Sequence, residues 1–292
     1  MFAVIGADGF LGSYLIRSIL DNTEDNVLAF CRGSDCCGTD TGRVIPCAGD
    51  LLDKAYRLEL TYKINSIPNT HVLYTAAVSN IDMAAENREM SERLNVGVLR
   101  EIASSLTNCG SFLFTSSDAV YGEGGDYRFR ESDRPNPLSV YAGQKLQGEA
   151  ITSEIGGTSL RMPLMFSKSL SPRKKHFCDT VTENLKSGRE TTLITGGVRS
   201  TLDYKTAASL MVSLCLSGQK LPGIINIAGD TPFSRYELGL FLAKSQGMPE
   251  TLIVPVSPTG QFREGAVRPN STLMDNTLLK KLLGLRKIEM KL

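Results

Sequence analysis

A chain of 292 residues is long enough for one large α/β domain, or for such a domain carrying a smaller second lobe. A formal net charge of +1, with 41% hydrophobic and 22% charged residues, exerts no global pull toward nucleic acid or an anionic membrane. No apolar run approaches the ~18–20 residues of a membrane span, and seven cysteines without C-x-x-C spacing, beside only His71 and His176, leave no material for a Cys/His metal site. The thiols, with Cys36 and Cys37 adjacent, read as free in a reducing cytoplasm.

The first apolar stretch, Phe2–Ile5, runs straight into a glycine turn and predicts a strand rather than a signal peptide. Further strands are expected at Asn26–Cys31, Val44–Cys47, His71–Ala76, Ser111–Thr115 and Thr158–Met162, with helices near 10–20, 51–63, 82–107 and 137–153 between them. This alternation predicts βαβ units and an α/β fold with a doubly wound parallel sheet over residues 1–165. Beyond Arg161 the rhythm changes. Pro163, Pro172 and the basic run Arg173-Lys174-Lys175 lead away from the sheet. Helices near 176–187, 205–217 and 234–246 and strands near 192–195 and 224–227 then predict a smaller C-terminal lobe over 166–292, with some segments returning to the sheet. Such a lobe would close over the crevice outside the carboxyl ends of the strands.

The loop Gly6-Ala7-Asp8-Gly9-Phe10-Leu11-Gly12 joins the first strand to the first helix. Gly6 suits the tight turn, Gly9 lets backbone approach a pyrophosphate, and Gly12 allows close helix–strand packing, with the helix N-terminus facing the phosphates. The loop therefore reads as a dinucleotide cradle. About 20 residues on, where an NAD protein usually places an acid on the ribose, the second strand ends in Arg32, with Asp35 the nearest carboxylate. A guanidinium suits a 2′-phosphate in a fork, which favours NADP with NAD as the alternative. Asp50 and Leu51 follow the third strand and suit either the adenine ring or a helix N-cap at Asp50.

Tyr141 and Lys145 are spaced i, i+4, on one face of a helix that opens after Pro135-Asn136-Pro137. A neighbouring ammonium favours the phenolate and lowers a pKa that is ordinarily near 10, making the pair a general acid for a carbonyl being reduced. Ser117, 24 residues upstream at the end of a strand, would hydrogen-bond that carbonyl.

Taken together, G-x-x-G-x-x-G, Ala76-Ala77, Asn95, the run Ser116-Ser117-Asp118-Ala119-Val120-Tyr121-Gly122 and Y-x-x-x-K occur in an order that resembles the extended short-chain dehydrogenase/reductases over essentially the whole length. The resemblance implies a catalytic triad of Ser117, Tyr141 and Lys145. It gives Lys145 a second role on the nicotinamide ribose, sets Ala76 and Ala77 against the cofactor, and has Asn95 position the lysine side of the site.

Three stretches are similar to the dTDP-4-dehydrorhamnose reductase group: Asn136–Glu149, Gly223–Gly229 with the helix after Ser234, and Arg268–Asp275. That implies hydride transfer to the C4 ketone of a nucleotide-linked deoxysugar. Val78 and Ser79 would line the substrate, and Arg199 and Arg268 would hold its diphosphate; either arginine could instead serve as a structural ion-pair partner. Two features depart from the group. Ser117, Ala119 and Tyr121-Gly122 lean toward sugar-nucleotide epimerases. Ala119 stands where 4,6-dehydratases carry glutamate, which removes the base their elimination needs. Around Arg161–Phe166 the chain resembles the β regulatory subunit of methionine adenosyltransferase, a relative that binds NADP and serves as a partner protein. A 4-epimerase and an NADP-binding regulatory subunit are therefore the alternatives. The resemblance also implies a homodimer through the helices near 82–107 and 137–153.

Overall fold

The computed structural model describes residues 1–33, 42–171, 174–257 and 264–290. Its central sheet has seven strands, β1 (Phe2–Ile5), β2 (Val27–Cys31), β3 (Val44–Ala48), β4 (Thr70–Tyr74), β5 (Cys109–Ser117), β6 (Thr158–Met162) and β7 (Ile224–Asn226). They lie in the order β7-β6-β5-β4-β1-β2-β3, and every pairing is parallel. From β1 the chain winds outward to β3, then returns to β4 on the other side. The strand order thus reverses between β1 and β4, where folds of this architecture open a crevice.

Helices cover both faces, so the inner strands are apolar without a break and buried along their length, as FAVI in β1 and VLAFC in β2 are. Alternate side chains serve opposite layers. Phe2 and Val4 join a core with α1 (Phe10–Asn22) and α5 (Tyr204–Leu216), through Leu15, Ile16, Met211 and Leu214. Ala3 and Ile5 face Leu60 and Ile64 of α2 (Lys54–Asn65) and Leu99 and Ile102 beyond. At the edge, β3 is largely exposed and carries Pro46, which an edge strand tolerates because no neighbour needs its missing N–H.

One expected continuous helix is interrupted. Residues 82–107 resolve into Ile81–Glu86, Arg88–Glu92, a π-helical turn at Arg93–Val98 and Leu99–Ser105, with the break at Asn87, whose φ is −119° and ψ 58°. Helix α3 spans Val140–Glu154, capped by Ser139. Within the C-terminal stretch, α4 (Phe177–Lys186), α6 (Arg235–Ser245) and the paired strands Thr191–Ile194 and Ile253–Val256 form a separate small core with Phe166, Val181, Leu185, Leu238 and Leu242. By contrast, α5 and β7 return to the main sheet. A last helix, α7, covers Thr277–Leu283.

Cys47, Cys109, Cys178 and Cys215 are free thiols, whereas Cys31 is disulfide-bonded, against the expectation that all were free. Cys36, Cys37, Asp35, Pro172 and Arg173 lie outside the described residues. Among the described residues no helix is long and apolar enough to cross a membrane.

Candidate active site

A cleft of about 820 Å³ opens along the carboxyl ends of β1 to β6 and runs under the lobe. Each expected cofactor contact that follows a strand lines it: Gly6, Asp8, Gly9, Phe10, Leu11 and Gly12 after β1, Arg32 after β2, Asp50 and Leu51 after β3, and Ala76 and Ala77 after β4, with the expected substrate contacts Val78 and Ser79 next to them. Ser117, Tyr141 and Lys145 line it as well. Parallel strands make this convergence automatic, because all their carboxyl ends open on one edge of the sheet.

Gly6 has φ +95°, and a Cβ there would sit 2.8 Å from the Ala76 amide nitrogen; a Cβ on Gly12 would collide with the Gly6 carbonyl oxygen. No side chain caps α1, whose N-cap is Gly9, so its first-turn amides face the cleft as donors. An uncapped helix end beside a glycine turn fits a dinucleotide pyrophosphate. Asp50 makes a local turn by accepting from the Leu52 amide at 2.9 Å, while the N-cap of α2 is Asp53, three residues later. The capping alternative at Asp50 is thereby corrected: α2 starts later than its apolar pattern suggested.

Asn95 does not line the cleft. It is buried in the π-helical turn, accepts from the Val78 amide at 2.8 Å, donates to the Val78 carbonyl at 3.2 Å and donates to Gln144 Oε1 at 2.8 Å. The extra residue of a π turn re-aims a side chain in this way. Asn95 therefore ties the loop after β4 to α3 and acts on the site through its neighbours.

On α3, Lys145 is buried, and its Nζ donates to the Thr115 carbonyl at 2.7 Å and lies 5.7 Å from the centre of the Tyr141 ring. Burial pushes the ammonium down to about 7, with Glu149 opposing the shift. Ser117 ends β5; its Oγ donates to Asp118 Oδ1 at 3.1 Å and accepts from the Ala119 amide at 3.2 Å, with the Tyr141 phenol near it. The phenol's pKa is raised, by burial and then by the Asp118 carboxylate, with Ser117 working against both. This corrects the expectation that Lys145 lowers it. The ammonium is bound to a carbonyl, and Asp118 is the charge that acts on the ring oxygen.

Behind the pair sits a buried ion bridge. Arg161 of β6 meets Glu149 through Nε at 2.9 Å and Nη2 at 2.7 Å, Ser116 donates to the same carboxylate at 2.5 Å, and the Tyr121 ring lies under the guanidinium at 4.4 Å. Sequence reasoning missed this bridge. Its only linear trace is Glu149 standing four residues after Lys145, on the same helical face.

Neither expected diphosphate arginine lines the cleft. Arg199 donates to the Val198 and Pro269 carbonyls and pairs with the buried Asp118 at 3.4 Å. Arg268 forks onto Asp82 at 3.1 and 2.6 Å, binding the C-terminal segment to the helix at Ile81–Glu86. Both have the ion-pair role allowed as the alternative. The lobe's lining cations are instead Lys174, Lys175 and Arg235, beside His176, Phe177 and Tyr204. Burial drives His176 down to about 4, so it is neutral, and it packs against Phe10 at 5.0 Å and Tyr204 at 5.4 Å. The run at 173–175 and the S-x-x-E capping signature at Ser234 were the available signals for these residues.

The family model described as "RmlD substrate binding domain" matches residues 1–291. The zebrafish Danio rerio protein "Methionine adenosyltransferase 2 subunit beta" is 26% identical over 291 residues, covering 97% of this chain and 84% of that one. The cattle counterpart is 23% identical over 217 residues, 64% of its own length. The Aggregatibacter actinomycetemcomitans "dTDP-4-dehydrorhamnose reductase" is 22% identical over 292 residues, 97% of this chain and 93% of that one. Among solved structures, the dTDP-glucose 4,6-dehydratase DesIV from Streptomyces venezuelae with NAD superposes with a TM-score of 0.79 at 21% identity, covering 98% and 92% of the two chains. A dTDP-4-dehydrorhamnose reductase from Bacillus anthracis in complex with NADP gives 0.77 at 17% identity, over 99% and 93%. At such identities the structural likeness speaks for the fold.

Proposed function

From the membership of this chain in the RmlD substrate binding domain family, we propose that it is an NADP-dependent reductase that delivers a hydride to the 4-keto group of a nucleotide-linked deoxysugar. The observation that carries the reading is the meeting of Ser117, Tyr141 and Lys145 at the carboxyl end of β5, in the same cleft as an uncapped glycine-loop helix. The glycine loop and the α1 amides would hold the pyrophosphate, Arg32 a 2′-phosphate, and Ala76 and Ala77 the nicotinamide side. A reduced nicotinamide supplies the hydride when bound.

The chain's own residues handle the proton. With its pKa raised, Tyr141 keeps its hydroxyl hydrogen at neutral pH and can donate it to the ketone oxygen. Ser117 orients that oxygen by a second hydrogen bond. Lys145, held by the Thr115 carbonyl, would bind the nicotinamide ribose, and solvent restores the proton to the phenolate left behind. Burial beneath the lobe strengthens these interactions by lowering the local dielectric. Ala119 argues against a dehydratase, since no carboxylate stands beside Asp118 to start an elimination.

A second reading is favoured by the relatives, because a methionine adenosyltransferase β subunit matches at higher identity than a reductase does. That reading is an NADP-binding partner protein; the intact Ser117–Tyr141–Lys145 set supports the enzyme. A panel of nucleotide-linked 4-keto sugars with NADPH, followed by absorbance, distinguishes the two. Stoichiometric NADPH consumption is expected, and Tyr141→Phe should lower kcat by about 10²–10⁴ while leaving the NADPH Kd unchanged. Turnover that needs no added cofactor would mean a 4-epimerase. No turnover with any sugar, together with capture of a methionine adenosyltransferase catalytic subunit, would establish the regulatory reading.

A further inference from the structure

We infer that Arg235, with Lys174 on the same cleft lining, holds a diphosphate group on the lobe side of the cleft, a role for which Arg199 and Arg268 are out of place. This deepens the proposed function and rests on it for one point, that the diphosphate belongs to a nucleotide sugar.

Four observations carry the assignment. First, Arg199 and Arg268 do not line the cleft: Arg199 is engaged with Asp118 and with the Val198 and Pro269 carbonyls, and Arg268 is forked onto Asp82. Second, among the described residues Arg235 has no carboxylate or carbonyl partner and lines the cleft from the first turn of α6. The N-terminal amides of that helix are served by the capping box of Ser234 and Glu237, so the side chain is the available donor. Third, its guanidinium carbon lies 5.3 Å from the centre of the Phe177 ring. A guanidinium packed on an aromatic ring is held in place while its N–H edge stays open to an oxyanion. Fourth, the neighbouring field is positive. The charges of Arg268 and Arg199 bear on Arg235, whose side chain is exposed, and among the described residues no carboxylate opposes them. Lys174 adds a second cation to the same wall, while Lys175 is paired with Glu183 at 2.8 Å.

Position separates this cation pair from the cofactor's ribose end. Arg32 stands at the carboxyl end of β2, whereas the field on Arg235 comes from Arg199, which touches Asp118, next to Ser117 of the catalytic set. His176, adjacent to Phe177, does meet Phe10 of the glycine loop, so the pyrophosphate of the cofactor is the competing source of the same chemistry.

Calorimetric titration of the full chain with dTDP, UDP and NADPH separately tests the assignment. Arg235→Leu should weaken dTDP and UDP by at least about tenfold and leave NADPH within about twofold, as expected for loss of one charge-assisted phosphate contact. Arg235→Lys should recover part of the loss, and Lys186→Ala, an exposed lobe charge outside the cleft, should change neither. Weakened NADPH with unchanged dTDP would reassign the group to the cofactor and overturn the inference, as would no change in either. Thermal melting of each variant separates misfolding from lost binding. The reductase reading fails separately: a wild-type protein that binds dTDP through Arg235 but reduces no keto sugar sinks that reading and leaves this one standing.

Discussion

The two walls of the cleft are built on different principles. The sheet wall is made of backbone: the turn at Gly6, the amides of α1, and the loop after β4 held from behind by Asn95. The lobe wall is made of side chains, His176, Phe177, Tyr204 and Arg235, which come from three separate helices or their caps. A backbone wall admits little substitution, because its shape is fixed by sterics and by the strand ends. A side-chain wall can be rewritten residue by residue while the frame stays. The difference explains how one fold can keep its cofactor chemistry and change its substrate.

The ion bridge behind Tyr141 and Lys145 offers the sharpest way to test the frame that carries the backbone wall. Glu149→Ala would leave Arg161 charged and unpaired deep under the Tyr121 ring, and should cost about 3–5 kcal/mol of stability, read from denaturant midpoints. A loss below about 1 kcal/mol would mean the pair is solvated and not a structural bridge. Next comes the backbone wall itself. Gly12→Ala forces a methyl against the Gly6 carbonyl and should destabilise the chain by about 1–3 kcal/mol, with NADPH affinity falling too. Unchanged melting and affinity would show that the loop can relax, which the contrast denies. The smallest effect is expected at Arg32, exposed at the rim. Arg32→Ala should weaken NADPH about tenfold, or about 1.4 kcal/mol, and NADH less than twofold. Equal losses for both cofactors would remove the 2′-phosphate assignment.

Legibility in the sequence followed the same division. The strand at Phe2–Ile5 was readable to the residue, because a buried parallel strand is an unbroken apolar run bounded by turn residues. Tyr141 and Lys145 were readable as a spacing, since i and i+4 share a helical face whatever surrounds them. The interruption near Asn87 and the π turn at Arg93–Val98 were not, because the local pattern is that of an ordinary helix and the irregularity answers to the Val78 loop it must meet. The direction of the Tyr141 shift was missed for a similar reason. Only the ammonium is near Tyr141 in sequence, and it is the fold that sends Lys145 to the Thr115 carbonyl and brings the Asp118 carboxylate to bear on the ring oxygen.

By itself, then, the sequence determined the alternating frame, the glycine loop and the catalytic spacing, all properties of period, sterics and local geometry. Tertiary structure alone decided which arginines are engaged and which face the cleft. Arg199, Arg235 and Arg268 are equivalent as letters; their roles depend on whether Asp118 and Asp82, distant in the chain, reach them first.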